Sequence, residues 1–354
     1  MKVIGLLACT TSILLGGCAL HNVNMQAGPS VQSHDKFPSL NELGYQDSAE
    51  NVSGLWWHDF NRPELNDLIS QSFTSNQDIV AAIARIEQAR ANTNETRSDL
   101  FPKLNLEGSI TDSRQKDDDQ ASVREIGAAM SWELDVFDRI GSAALADEYE
   151  ANARVYDLEA LRLSLSAEVA NAYFGAAAAH NRLQLLQQQL DTDKELLELV
   201  KLRQENGVGT KVEVLQQQSQ VSESLSFIPP AQSELRVFEN RLDVLLGVQP
   251  DGQDRVSIEE NLVFAVELPA IGVPADLLLQ RPDLRSLHAE LVAADAEIAS
   301  AIAERLPLVT LTGSYLFSDS STVVDPVATI VGAFVQPILD WGERKSAVKR
   351  NEAL

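Results

Sequence analysis

The chain has 354 residues with 28 basic and 52 acidic side chains, a formal charge of −24. Such an acidic balance argues against nucleic acid or anionic headgroups as partners. The length allows two ordinary domains, and only two cysteines, Cys9 and Cys18, are present.

Residues 1–17 read as a signal peptide. Lys2 supplies a positive start, and Val3 to Leu15 is a mostly apolar run too short to cross a bilayer as a helix. The run ends in Leu15-Gly16-Gly17-Cys18, which resembles the lipobox of bacterial lipoproteins, where the cysteine is lipidated and becomes the new N-terminus. Cys18 is the expected lipidation site. Loss of Lys2 takes the charge from −24 to −25, and Cys9 leaves with the signal, so no disulfide is possible in the mature chain. An acyl anchor ties a protein to a membrane rather than through it.

Residues 18–53 read as a lipid anchor and extended linker, and residues 54–250 as a first structural repeat. After Trp56-Trp57 and Phe60, Pro63 opens a short helix carrying Leu65, Leu68 and Ile69 at helical spacing. Asn76 caps a second helix, which Phe101-Pro102 stops. From Leu104 the apolar period becomes two, and it is two again from Ile126 to Val136, so 101–137 reads as an antiparallel β-hairpin with a loop from Asp112 to Gln120. A heptad seam through Leu158, Leu165, Ala172, Ala179, Leu186 and Val200 then holds for six heptads, interrupted by Arg162 and Asp193. The helix from Ser142 to Glu205 would be about 95 Å long. Asn206-Gly207-Val208-Gly209-Thr210 turns the chain back into a shorter helix ending at Leu246, expected to be interrupted at Pro229-Pro230. The long helix therefore needs a second short partner, which the helix after Asn76 can supply, end to end with the return helix. Residues 251–274 form a connector with an expected strand at Leu262 to Val266.

Residues 275–354 repeat the first unit. Phe101 to Ser109 aligns with Leu306 to Ser314 at an offset of 205, and Leu134 to Arg139 with Ile338 to Glu343 at 204. A helix is expected at 276–304, a β-hairpin at 306–341 and the start of a long helix after it. By the repeat, about 100 further residues are expected beyond Leu354, so the second repeat is expected to be truncated.

Strands of about ten residues suit a tilted membrane span. Phe101, Trp132, Phe137, Tyr315, Phe317, Phe334 and Trp341 are candidate aromatics of the membrane interface. Four strands cannot close a barrel, since the smallest known have about eight, and open edges cannot face lipid. Several copies must share one barrel, continued by a helical tube. The expected fold class is mainly α with membrane β-hairpins, built of long α-helical hairpins and two β-hairpins per chain.

The sequence resembles the TolC-like outer-membrane efflux proteins, in their NodT-type lipoprotein branch. The resemblance rests on Trp56-Trp57 with Phe60, Leu100-Phe101-Pro102, Leu134-Asp135-Val136-Phe137, Ala170 to Phe174, Leu245-Leu246-Gly247, and above all Pro274 to Arg285. It implies a homotrimer with a twelve-stranded barrel, docked on a periplasmic adaptor and an inner-membrane pump, exporting drugs, metals or other small molecules. Asn206 to Thr210 matches a hairpin tip where adaptors bind. Asp138 stands where the family usually has glycine, and Glu213 replaces a usual aspartate. Gate residues are expected in the second helical hairpin, beyond Leu354, and neither substrate nor pump is legible.

No catalytic constellation stands out. His21, His34, His58, His180 and His288 lack metal-ligand spacing, and Gly207-x-Gly209 lacks the third glycine of a dinucleotide site. Neither an enzyme nor a cofactor beyond the lipid is expected. The competing reading is a periplasmic coiled-coil lipoprotein acting as adaptor or tether, which leaves the repeated β-hairpins unexplained.

Overall fold

The computed structural model describes residues 21–25, 55–114, 120–256, 280–320 and 323–353. The signal peptide, Cys18 and the expected strand at Leu262 to Val266 lie outside them. The chain divides into two compact units, Met1–Gln32 with Ala84–Asp157 and Arg281–Leu354, and Ser33–Ile83 with Leu158–Gln280.

The second unit is helical. A 3-10 turn at Trp56–Phe60 leads into α1 (Pro63–Ser75), with proline in its first turn and Leu65, Leu68 and Ile69 buried, as their spacing requires. The start of α2 (Gln77–Ser98) follows. Asn76 Oδ1 accepts from the N–H groups of Asp78 and Ile79 at 2.8 and 3.3 Å, capping the helix. The unit also holds most of α3 (Arg139–Glu205) and all of α4 (Lys211–Leu245). At 67 residues, α3 begins three residues before the expected Ser142, directly after the left-handed bend at Asp138.

The α3 seam is buried at Leu158, Leu165, Val169, Ala172, Ala176, Leu190 and Leu197, and Arg162 points to solvent. Asp193 interrupts the seam without loss, since its Oδ2 accepts from Ser224 Oγ at 2.6 Å and its carbonyl from Gln217 Nε2 at 3.2 Å. Arg182 pairs with Glu234 and Glu168 with Arg241, which continues the antiparallel match of α3 and α4. Small residues permit close approach: a Cβ on Gly175 would enter the Phe238 ring.

One expectation fails here. α4 runs unbroken through Pro229 and Pro230. The two rings leave the carbonyls of Leu225 and Ser226 without their helical donors. All four residues are exposed, so water can meet those carbonyls and the helix continues.

The stacking of short helices is visible at their ends. Ser75 Oγ donates to Leu246 O at 2.6 Å, and Asn76 Nδ2 to Leu245 O at 3.0 Å. Gly247, at φ 71°, lies so close to Ser75 O that a side chain would collide. Beyond the joint the chain folds back on α4. Arg255 Nε donates to buried Asp243 at 2.6 Å and its backbone N–H to buried Glu239 at 2.8 Å. Burial pushes the Glu239 carboxyl above its usual range.

The first unit carries the sheet. β1 (Lys103–Arg114), β2 (Gln120–Leu134), β3 (Leu308–Ser320) and β4 (Val323–Val335) form one antiparallel sheet in that order. The strands are longer than expected, 12 to 15 residues. They extend into the presumed loop at Asp112 to Gln120, of which 115–119 lie outside the described residues. β2 stops at Leu134 rather than Val136, whose N–H turns back onto Leu134 O at 2.8 Å. β4 likewise ends at Val335, short of Trp341, after Pro326 at a position that an edge strand tolerates. The two hairpins join through β2 and β3, from Leu134↔Val309 to Val123↔Ser320.

The end of α2 is fixed to the start of α3 by Thr96 Oγ1 on Asp147 at 2.5 Å and Arg97 on Glu148. α5 (Pro282–Ala303) starts at the proline of Arg281-Pro282-Asp283 and is followed, after β4, by α6 (Glu343–Asn351). Ser286 Oγ donates to Asp157 at 2.6 Å, and the Arg285 guanidinium lies 4.1 Å from the Tyr156 ring centroid, so the motif docks α5 on α3.

Candidate channel wall and hairpin tip

Register decides which side chains share a face. Leu104 pairs with Met130, Leu106 with Ala128, and Gly108 with Ile126. Those β2 residues pair with Gly313, Tyr315 and Phe317, which in turn oppose Ile330, Ala328 and Pro326. With Ile110, Trp132, Leu311, Val309 and Phe334 they make one face that is apolar on all four strands until Arg124 enters it opposite Ile110. Leu106 is 81% exposed, Leu104 74%, Ile110 72% and Ile330 80%, far beyond scattered surface apolarity.

The opposite face carries Asn105, Glu107, Ser109, Glu125, Ser131, Thr310, Thr312 and Ser314. Toward β4, at Leu316, Val327 and Val331, it becomes apolar as well.

The candidate aromatics do not form two rims. Phe101, Trp132, Phe137, Phe334 and Trp341 gather at the strand ends that meet the helices, where Trp132 Nε1 donates to Leu100 O at 2.9 Å. Tyr315 lies mid-strand opposite Ala128, and Phe317 two residues further along, their rings 5.2 Å apart. Spacing along the chain could not show this, because strand length was underestimated.

Both strand-to-helix bends use left-handed backbone: Asp138 at φ 59°, and Trp341 and Gly342 at 53° and 92°. An aspartate caps each. Asp135 accepts from the N–H groups of Arg139 and Gly141 at 2.6 and 2.7 Å, and Asp340 from those of Gly342 and Arg344 at 3.0 and 3.4 Å. Burial and the neighbouring Asp135 carboxylate raise the Asp138 carboxyl, against a hydrogen bond from Ser142. The backbone donors of Gly342 and Arg344 lower Asp340. A cavity of about 430 Å³ opens beside the bends, but its Arg139 and Arg344 are already paired with Glu133 and Asp340.

At the far end of α3, Gly207 adopts φ 79°, Val208 N–H donates to Arg203 O at 2.9 Å, and Gly207 N–H to Gln204 O at 3.0 Å. These bonds are a Schellman stop. Gly209 is not left-handed, and it is needed for space, since a Cβ there would sit 3.1 Å from Gln204 N. Thr210 and Glu213 then form a capping box, with Glu213 N–H on Thr210 Oγ1 at 3.2 Å and Thr210 N–H on Glu213 Oε2 at 3.3 Å. Val208, 70% exposed, crowns the turn.

Among the described residues no group of His, Cys, Asp and Glu could hold a metal, and no helix is long and apolar enough to cross a membrane.

Comparison with known proteins follows the same lines. The Escherichia coli cation efflux system protein CusC is 29% identical over 310 residues, which are 87% of this chain and 66% of CusC. The Pseudomonas aeruginosa pyoverdine export outer membrane protein OpmQ is 27% identical, over 97% of this chain and 75% of OpmQ. The chain thus spans about two thirds to three quarters of the length of these relatives. The solved outer-membrane channel OprN superposes with a TM-score of 0.80 at 26% identity, covering 95% of this chain and 77% of OprN. The Campylobacter jejuni CmeC outer membrane channel shares the fold, with a TM-score of 0.82 at 22% identity over 95% of this chain and 74% of CmeC. The family described as outer membrane efflux protein matches residues 68–248 and 273–353, both sides of the connector, and on that match the chain is a member of the outer membrane efflux protein family.

Proposed function

We propose that this chain is the channel subunit of an outer-membrane efflux system, a wall-forming protein without catalytic activity or cofactor. The observation that carries the reading is the sheet with one continuous apolar face. The apolar face meets hydrocarbon, the polar face lines a water-filled lumen, and the free edges of β1 and β4 pair with further copies in a homotrimer. The helices continue the wall into the periplasm, and the tip at Asn206 to Thr210 meets a periplasmic adaptor that links it to an inner-membrane pump.

Small molecules are the cargo class, since relatives carry names as different as cation efflux and pyoverdine export. An acyl chain on Cys18 anchors the protein in the outer membrane. A periplasmic adaptor or tether would have no use for so wide an exposed apolar sheet.

The test is expression in an efflux-deficient strain with a compatible adaptor and pump. Restored resistance, with a heat-sensitive oligomer in outer-membrane fractions, is expected. A chain found only as soluble periplasmic monomer overturns the reading. Palmitate should label the parent chain and not Cys18→Ser.

A further inference from the structure

The linker reading of residues 18–53 gives no reason for its first residues to be held. Yet His21 Nε2 lies 2.8 Å from Asp295 Oδ1, and the backbone N–H of Asn24 donates to Asp295 Oδ2 at 2.7 Å. One carboxylate on α5 thus uses both oxygens to hold one short segment, once through a side chain and once through the backbone. Side-chain exposure is 29% for His21 and 21% for Asp295, so the pair is better shielded than an ordinary surface contact.

We infer that residues 21–25 form a strap that pins the start of the mature chain to α5 and so positions the acyl chain of Cys18 beside the sheet. The lipid's placement rests on the acylation proposed above, whereas the strap itself does not. Three residues separate Cys18 from His21, a reach of at most about 11 Å. Eight residues separate Asp295 from the end of α5 at Ala303, about 12 Å of helix, and β3 opens at Leu308. The acyl chain therefore starts within about 11 Å of the strap, and the strap sits about 12 Å of helix from the end of α5 that leads into β3. A free linker would let the lipid roam, whereas a strap this close to the cysteine fixes its local concentration at the bilayer.

The test uses a nitroxide on Asn22→Cys, an exposed strap position, in the full chain in outer-membrane vesicles. An acylated Cys18 leaves this the one free thiol. The spectrum should be immobilised in the otherwise unaltered chain, mobile in Asp295→Ala, and intermediate in Asp295→Asn, which keeps one acceptor. Glu290→Ala on the same helix should change nothing. His21→Ala leaves α5 untouched and should mobilise the label as well, which guards against misfolding of the Asp295 variants. Equal immobilisation in the unaltered, Asp295→Ala and His21→Ala backgrounds overturns the strap. Uptake of label by a chain lacking Asn22→Cys means a free Cys18, and overturns the lipid placement alone.

Discussion

Asp138 and Gly342 stand at equivalent strand-to-helix bends and share a left-handed backbone, φ 59° and 92°. Only one of them is the residue type that takes this conformation without steric cost. Asp138 bears a second burden, a half-buried carboxyl beside that of Asp135.

Asp138→Gly should therefore stabilise the protein by about 1 kcal/mol at the backbone level. The carboxyl adds a pH dependence. Its folded pKa lies above the usual 3.8, so its favourable contribution is complete below that value and is lost as pH rises through the raised one. The gain from Asp138→Gly should be larger at pH 7 than at pH 3.5. Thermal unfolding of the two chains in detergent across that range checks both the sign and the slope. Gly342→Ala should go the other way.

The two faces of the sheet should differ in tolerance. Leu106→Arg and Leu311→Arg place charge on the apolar face and should cost about 2–4 kcal/mol if they lie near the bilayer midplane. Asn105→Arg and Thr310→Arg, on the other face, should be nearly neutral. Folding into lipid vesicles against urea reads the difference, and equal costs on both faces would rule out a lipid-facing sheet.

At the end-to-end joint Asn76 has two tasks, capping α2 and donating to Leu245 O. Asn76→Ala removes the α2 cap, worth about 1 kcal/mol, and strands the Leu245 carbonyl, worth about 1–3 kcal/mol. Asn76→Asp keeps the cap but donates nothing to Leu245, and should fall between. Chemical unfolding of the purified chain ranks the three.

At the tip, Gly207→Ala should cost about 1 kcal/mol, because the Schellman stop requires φ near 79°. Val208→Asp should leave stability and abundance unchanged, since Val208 is exposed, and yet lower resistance by weakening the adaptor contact. Unchanged resistance at equal abundance would remove the tip from the interface.

Local patterns proved readable in the sequence. The α3 seam, the Asn76 cap, the glycine turn at Gly207 and the period-two strands each depend on residues a few positions apart. The internal repeat made the second hairpin readable from the first. What escaped depends on distance or exposure. The β2–β3 pairing joins segments separated by α3 and α4, and nothing near Leu134 announces Val309. His21 and Asp295 are 274 positions apart. Pro229-Pro230 looked like a break because proline rules describe lost donors. They do not say whether the orphaned carbonyls face water. The mid-strand position of Tyr315 was hidden because strand length was underestimated.

The open order β1-β2-β3-β4 also has a kinetic side. A hydrocarbon interior will not accept an unpaired row of N–H and C=O groups, and this sheet carries one at each end. In the proposed homotrimer, insertion and association would then be a single event of high molecular order, whose rate climbs steeply with the amount of chain present. Genetics would register this as poisoning. A copy damaged along β1 or β4 would disable the intact copies it joins, so such an allele should act dominantly, whereas one that never reaches the membrane should be silent.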